Sequence, residues 1–140
     1  MDSRRLHDEG FTLIELMVIL VITGGLIAFS APAIARYLRS SRVAGASNTL
    51  VADLRYGRSL ANTQRRTYQI IFTANSYTLR GVSPANVITT RSMPRGVTCA
   101  ASDTATFYAW GLTDPITVRM YTGKDTSSVQ LGANGRVIRD

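Results

Sequence analysis

The residues whose types and spacing could carry chemistry stand at the front of the chain, in Gly10-Phe11-Thr12-Leu13-Ile14-Glu15, where a lone carboxylate opens an apolar run. An ionisable group in a bilayer costs about 2.5 to 3.5 kcal/mol at the centre and less near the interface, so it needs a partner. A cut after Gly10 would supply one. The new amine of Phe11 would lie one helical turn from Glu15 and could neutralise it, within a subunit or between neighbours. Other chemistry lacks its residues. With one His, at position 7, and one Cys, at position 99, the chain cannot build a Cys/His zinc site, an internal disulfide or a serine-histidine triad. The acids Asp103, Asp114, Asp125 and Asp140 are too scattered for a calcium cage, and no glycine-rich phosphate loop follows a strand. No paired carboxylates or activated nucleophile can be named either. The chain is therefore expected to be no enzyme and to hold no metal or cofactor.

The elements that must position Gly10, Phe11 and Glu15 begin with the 20 uncharged residues from Leu16 to Ala35, enough as a helix to cross a bilayer core of about 30 Å. Pro32 removes the hydrogen bond to the Ala28 carbonyl and, with Gly24 and Gly25, weakens this helix locally. Arg4 and Arg5 precede the run among Asp2, Asp8 and Glu9, while Arg36, Arg39 and Arg42 follow it, so the positive-inside rule does not settle orientation. Beyond Pro32 the pattern turns amphipathic, with Val43, Ala46, Leu50, Leu54, Gly57 and Ala61 three or four residues apart. Helix is predicted to about Arg66. Counted from Phe11 that is 56 residues, or roughly 84 Å, too long for a membrane alone. Its second half must pack on the 74 residues that remain.

Those residues alternate as short strands over 67–73, 76–81, 87–90, 106–109, 116–121, 129–131 and 136–139, separated by turn signals such as Ser83-Pro84, Asp114-Pro115 and Ala133-Asn134-Gly135. The stretch from Arg91 to Asp103, with Pro94 and Gly96, reads as an irregular loop. A head this small needs the apolar stripe of the helix to complete its core. The expected class is α+β: a long N-terminal helix packed on a small antiparallel sheet, a lollipop. The segments are 1–10, 11–35 as the membrane half of the helix, 36–66 as its amphipathic half, and 67–140 as the head.

The front of the chain, Gly10, Phe11, then Thr12-Leu13-Ile14-Glu15, resembles the type IV pilin family with its class III leader. The resemblance implies a leader of residues 1–10, cleavage by prepilin peptidase between Gly10 and Phe11, and N-methylation of Phe11. It further implies that Glu15 guides docking into a filament and that Pro32 is the family's helix-bending proline. The implied setting is the inner membrane, spanned once, with the head in the periplasm; lipid, an inner-membrane assembly platform and other pilins or pseudopilins are the implied partners. The stretch Leu50 to Ala61, then Arg65-Arg66, and Gly135-Arg136-Val137 near the end, is similar to the GspH/FimT-like group. That likeness implies an H-class minor pseudopilin of type II secretion, serving protein secretion. The alternative is a FimT-like minor pilin that initiates type IV pilus assembly or binds DNA in natural transformation.

Charge bears on that alternative. The chain carries 16 Lys and Arg against 9 Asp and Glu, and loss of residues 1–10 would leave a formal charge of +8. Arg136 and Arg139, with Arg65 and Arg66, are the candidate contacts to phosphates, joined by Arg91 and Arg95. The DNA-binding relatives carry Gly-Arg-x-Arg, whereas here the second Arg of Gly135-Arg136-Val137-Ile138-Arg139 comes one place later. In a strand that shift sends Arg136 and Arg139 to opposite faces, so DNA is not the favoured partner. Phe107, Tyr108 and Trp110 could stack on bases, but an aromatic run in a strand more often forms core and edge.

Overall fold

A computed structural model describes residues 11–140. The leader segment 1–10, with Gly10 and His7, lies outside the described residues. The chain divides into two units, Met1–Arg36 and Tyr37–Asp140.

One helix, α1 (Leu13–Gln64), supplies all the helical structure among the described residues. It is two residues shorter than expected at each end, for local reasons. At the start, Thr12 caps it: the Glu15 amide donates to Thr12 Oγ1 and the Leu16 amide to the Thr12 carbonyl, both at 3.2 Å. At the end, Arg65 takes a left-handed φ of 53° and the Arg66 amide reaches back to the Ala61 carbonyl at 3.3 Å. That is the six-to-one bond of a Schellman stop, made here without glycine. No side chain from Phe11 to Arg42 is buried. From Val43 onward every third or fourth residue is: Val43, Ala46, Ser47, Leu50, Asp53, Leu54, Gly57 and Ala61. The helical stripe legible in the sequence is thus the buried face.

The head contains two four-stranded antiparallel sheets rather than one. The first has the order β3-β2-β1-β5, built from β1 (Tyr68–Thr73), β2 (Ser76–Gly81), β3 (Asn86–Ser92) and β5 (Ala105–Phe107). The second has the order β4-β6-β7-β8, from β4 (Thr98–Ala101), β6 (Ile116–Thr122), β7 (Asp125–Leu131) and β8 (Val137–Arg139). Side-chain alternation says which face of a strand is wet but not which strand is its neighbour, and that is why one sheet was expected. In β1 Tyr68 and Ile70 are buried, and in β6 Ile116, Val118 and Met120, as period-two burial requires. β6 and β7 form a hairpin with Gly123-Lys124 between the paired Thr122 and Asp125; Gly123 has φ +58°, the conformation a tight two-residue loop demands at its first position.

The expected loop from Arg91 to Asp103 is corrected. It contains the end of β3 and all of β4, which pairs with β6 from Thr98↔Tyr121 to Ala101↔Val118. Tertiary pairing overrides the Pro94 and Gly96 punctuation here, because Val97 and Cys99 are drawn into the core. The strand expected over 136–139 starts at Val137, and the one over 106–109 ends at Phe107, leaving Tyr108 and Trp110 in a turn.

Both sheets and the α1 stripe enclose one core, with Leu50, Leu54, Ile70, Leu79, Ala105, Phe107, Val118, Met120 and Val129 fully buried. The core presses closely on the helix at Gly57, where a β-carbon would stand 3.0 Å from Phe107 Cε2 and 3.2 Å from Leu79 Cδ1. Neither neighbour can retreat, since both are themselves fully enclosed. Gly57→Leu is therefore expected to destabilise the head by at least the 1 to 3 kcal/mol (roughly) typical of overpacking, despite leucine's better helix propensity. Urea unfolding of the full chain in detergent, followed by circular dichroism, would show it; an unchanged midpoint would contradict the close approach.

Candidate functional site

At the front of α1 the structure places Phe11 and Thr12 just ahead of the helix and Glu15 in its first turn, with Phe11 73% exposed. Thr12-Leu13-Ile14-Glu15 is also a capping sequence, a structural signal in the same residues that suggest chemistry. The Glu15 carboxylate sits in the first turn of α1, at the end where the helix leaves its amides unpaired. Behind it an 18-residue window of α1 has mean hydropathy 2.3 with none of it buried. That stretch is long and apolar enough to cross a membrane. Pro32 lies within the unbroken helix, its carbonyl accepting from Arg36 Nε at 3.4 Å.

In the head, Arg65, Arg66, Arg136 and Arg139, among the six arginines singled out from sequence, line no common hollow. Arg65 and Arg66 are the helix stop and are exposed. Arg139 donates to the side chain of Asn48 and borders a hollow that also contains Asp125 and Asp140. Arg136, which precedes β8, lines a groove of about 640 Å³ with Arg55, Arg58, Ser59, Asn62 and Thr63. Arg136 and Arg139 thus line different hollows, Arg136 just before β8 and Arg139 at its end. Arg55 and Arg58 were missed. They are three apart on α1 and so share a side of the helix, a spacing visible in the sequence; what they face was not.

The contact that fixes Arg58 is with Gly135. Arg58 Nη1 donates to the Gly135 carbonyl at 3.2 Å, and its Nε is buried with no hydrogen-bond partner among the described residues. Gly135 has φ +75°, and a β-carbon on it would collide with the guanidinium of Arg58. Two independent demands for glycine meet at this position.

A second polar anchor lies inside the α1 stripe. Asp53 is buried, and its Oδ2 accepts from the Tyr77 hydroxyl at 2.6 Å and from Arg91 Nε at 2.8 Å. Arg91 is thereby committed to the fold, although its side chain is still 51% exposed. Burial, then the hydrogen bond and charge of Asp53, push the Tyr77 phenol well above its ordinary pKa of 10. Burial likewise pushes the Cys99 thiol up to about 11, which suits a small core residue and not a reactive one. Of the aromatic run, Phe107 is in the core, whereas Trp110 is 68% exposed and stacked on Tyr108, ring centroids 4.9 Å apart. Among the described residues no group of His, Cys, Asp and Glu could hold a metal ion.

The family described as the prokaryotic N-terminal methylation motif matches residues 5–29. No curated protein matches the chain. Among solved structures, the type IV minor pilin FimU of Pseudomonas aeruginosa superposes with a TM-score of 0.62 at 21% identity, over 71% of this chain and 89% of its own. The minor pseudopilin EpsH of the Vibrio cholerae type 2 secretion system superposes with a TM-score of 0.63 at 8% identity, over 71% of this chain and 96% of its own.

The chain shares the fold of these minor pilin and pseudopilin structures, and its residues 5–29 match the methylation motif. The two anchors of the head differ in what they do for its stability. Gly135→Ala should cost about 1 to 3 kcal/mol, by left-handed strain and by displacing Arg58; an unchanged unfolding midpoint would refute the contact. For Tyr77, a folded pKa above the unfolded one means that the folded state holds the proton longer. The stabilisation is then complete below pH 10 and declines as pH rises beyond it. Alkaline titration of the full chain should show stability falling from about pH 10, and Tyr77→Phe should be less stable at neutral pH but lose this component of the decline.

Proposed function

We propose that this pilin-like protein is a minor filament subunit, made as an inner-membrane precursor and cut by prepilin peptidase between Gly10 and Phe11. Phe11 is then N-methylated, Glu15 meets the amine of its own or a neighbouring chain, and α1 enters the filament with Pro32 and its glycines giving local slack. The head lies in the periplasm. The observation that carries this is the methylation motif over residues 5–29 on a helix that is uncharged from Leu16 to Ala35 and unburied to Arg42. Apolar surface on that scale requires lipid or neighbouring subunits to cover it.

The machine we favour is the type II secretion pseudopilus, in which the protein serves protein secretion beside other pseudopilins on an inner-membrane platform. The separation of Arg136 from Arg139 supports this over DNA uptake. A minor pilin of a type IV pilus is the second reading, favoured by the higher identity to FimU, 21% against 8% for EpsH. Deleting the gene discriminates them: lost export of secreted proteins supports the first, lost pili or transformation the second.

Processing and assembly are tested separately. Gly10→Val should leave only uncut precursor on immunoblots. Glu15→Ala should be cut normally yet fall to background in sheared or cross-linked filaments. Normal cleavage of the first, or normal incorporation of the second, would overturn the proposal.

A further inference from the structure

The turn after β5 presents side chains that the fold does not use. Trp110 is 68% and Leu112 54% exposed. The turn holding them is firmly built: the Tyr108 amide donates to the Leu112 carbonyl and the Gly111 amide to the Tyr108 carbonyl, both at 3.0 Å. Thr113 Oγ1 donates to the Gly132 carbonyl at 2.6 Å, and the Tyr108 hydroxyl donates to Asp114 Oδ2 at 3.2 Å. One face of the Trp110 ring rests on Tyr108, and that support fixes its direction. Little ordering remains for a partner to impose.

This turn adjoins the basic groove. A β-carbon at Gly111 would stand 3.6 Å from Asn62 Oδ1, and Asn62 lines the groove with Arg55, Arg58 and Arg136. No acidic residue lines that groove. The nearest acid in the turn, Asp114, is engaged by Tyr108. Tryptophan, tyrosine and arginine are the residue types that dominate protein interfaces, and here the turn carrying the first two adjoins, at Gly111 and Asn62, the groove lined by the third.

We propose that Trp110, Leu112 and the Arg55–Arg58–Arg136 groove form one docking surface for an acidic segment of a neighbouring protein, one that offers carboxylates to the groove and an apolar pocket to the turn. Nucleic acid is the rival occupant. It would want a basic track longer than one groove, and further along β8 the track fails: Arg139 turns to Asn48 in a hollow shared with Asp125 and Asp140. Leu112, an exposed aliphatic side chain on the same turn, also suits a protein surface better than a row of bases. The proposal rests on the filament assignment only for the source of the partner.

Trp110 is the chain's single tryptophan, so its emission reports this surface alone. The full chain in detergent is titrated near physiological salt with a short peptide of alternating Glu and Leu, and separately with oligothymidylate. The peptide should shift the emission saturably. Arg136→Glu and Leu112→Asp should each weaken it about tenfold or more, while Arg139→Glu leaves it unchanged. If Arg136→Glu lowers the melting temperature, Arg55→Glu, on an exposed helix position, takes its place. No shift with the peptide, tighter binding of oligothymidylate, or equal loss in Arg139→Glu would each overturn the proposal. Processing at Gly10 is measured independently, so failure here and failure of the filament assignment are distinguishable.

Discussion

The face of α1 that carries Val43, Leu50, Leu54, Gly57 and Ala61 is the surface on which both sheets close, and the head has no other helix among the described residues to take that place. Burying a leucine completely contributes about 1.5 to 3 kcal/mol, and Leu50 and Leu54 are both fully enclosed. Two thin sheets of four strands cannot supply such a core alone. Everything else in the head answers to this constraint, including the missing side chain at Gly57, which lets Phe107 and Leu79 reach the helix.

An apolar stripe fixes which face is buried but leaves axial register loosely defined. Asp53 supplies what the stripe lacks. Its carboxylate meets a hydroxyl from β2 and a guanidinium from β3, so a shift of the helix along the sheet would leave a buried acid without partners. Arg58 performs a similar role against the turn before β8, and Arg139 reaches Asn48, about 1.4 turns before Asp53 on α1. The helix is thus tied to strands of both sheets at several levels.

Much of this was legible in the sequence, and the divide is physical. The α1 stripe, β1, β2 and β6 each repeat a pattern over enough residues for periodicity to identify them. β4 was not legible, because Thr98-Cys99-Ala100-Ala101 has only Thr98 as a strand former and follows Pro94 and Gly96; its pairing with β6 makes it a strand. The head's polar contacts were hidden for a related reason. Asp53 and Arg91 stand 38 residues apart, and Arg58 and Gly135 stand 77 apart, so no local window contains both partners. The groove shared by Arg55, Arg58 and Arg136 was invisible for the same reason.

The Gly135-Arg136 pair shows why a short likeness needs its structural context. Read alone, a glycine followed by an arginine near the end of the chain suggests a ligand contact. In the folded head Gly135 already has a complete explanation in its positive φ and in the guanidinium packed against it. The neighbouring Arg136 is different: it is exposed, it lines the groove, and no hydrogen bond of its side chain to the rest of the described head is observed. A fold-determined residue and a free one therefore sit side by side. Substituting the first tests stability, and only the second can test recognition.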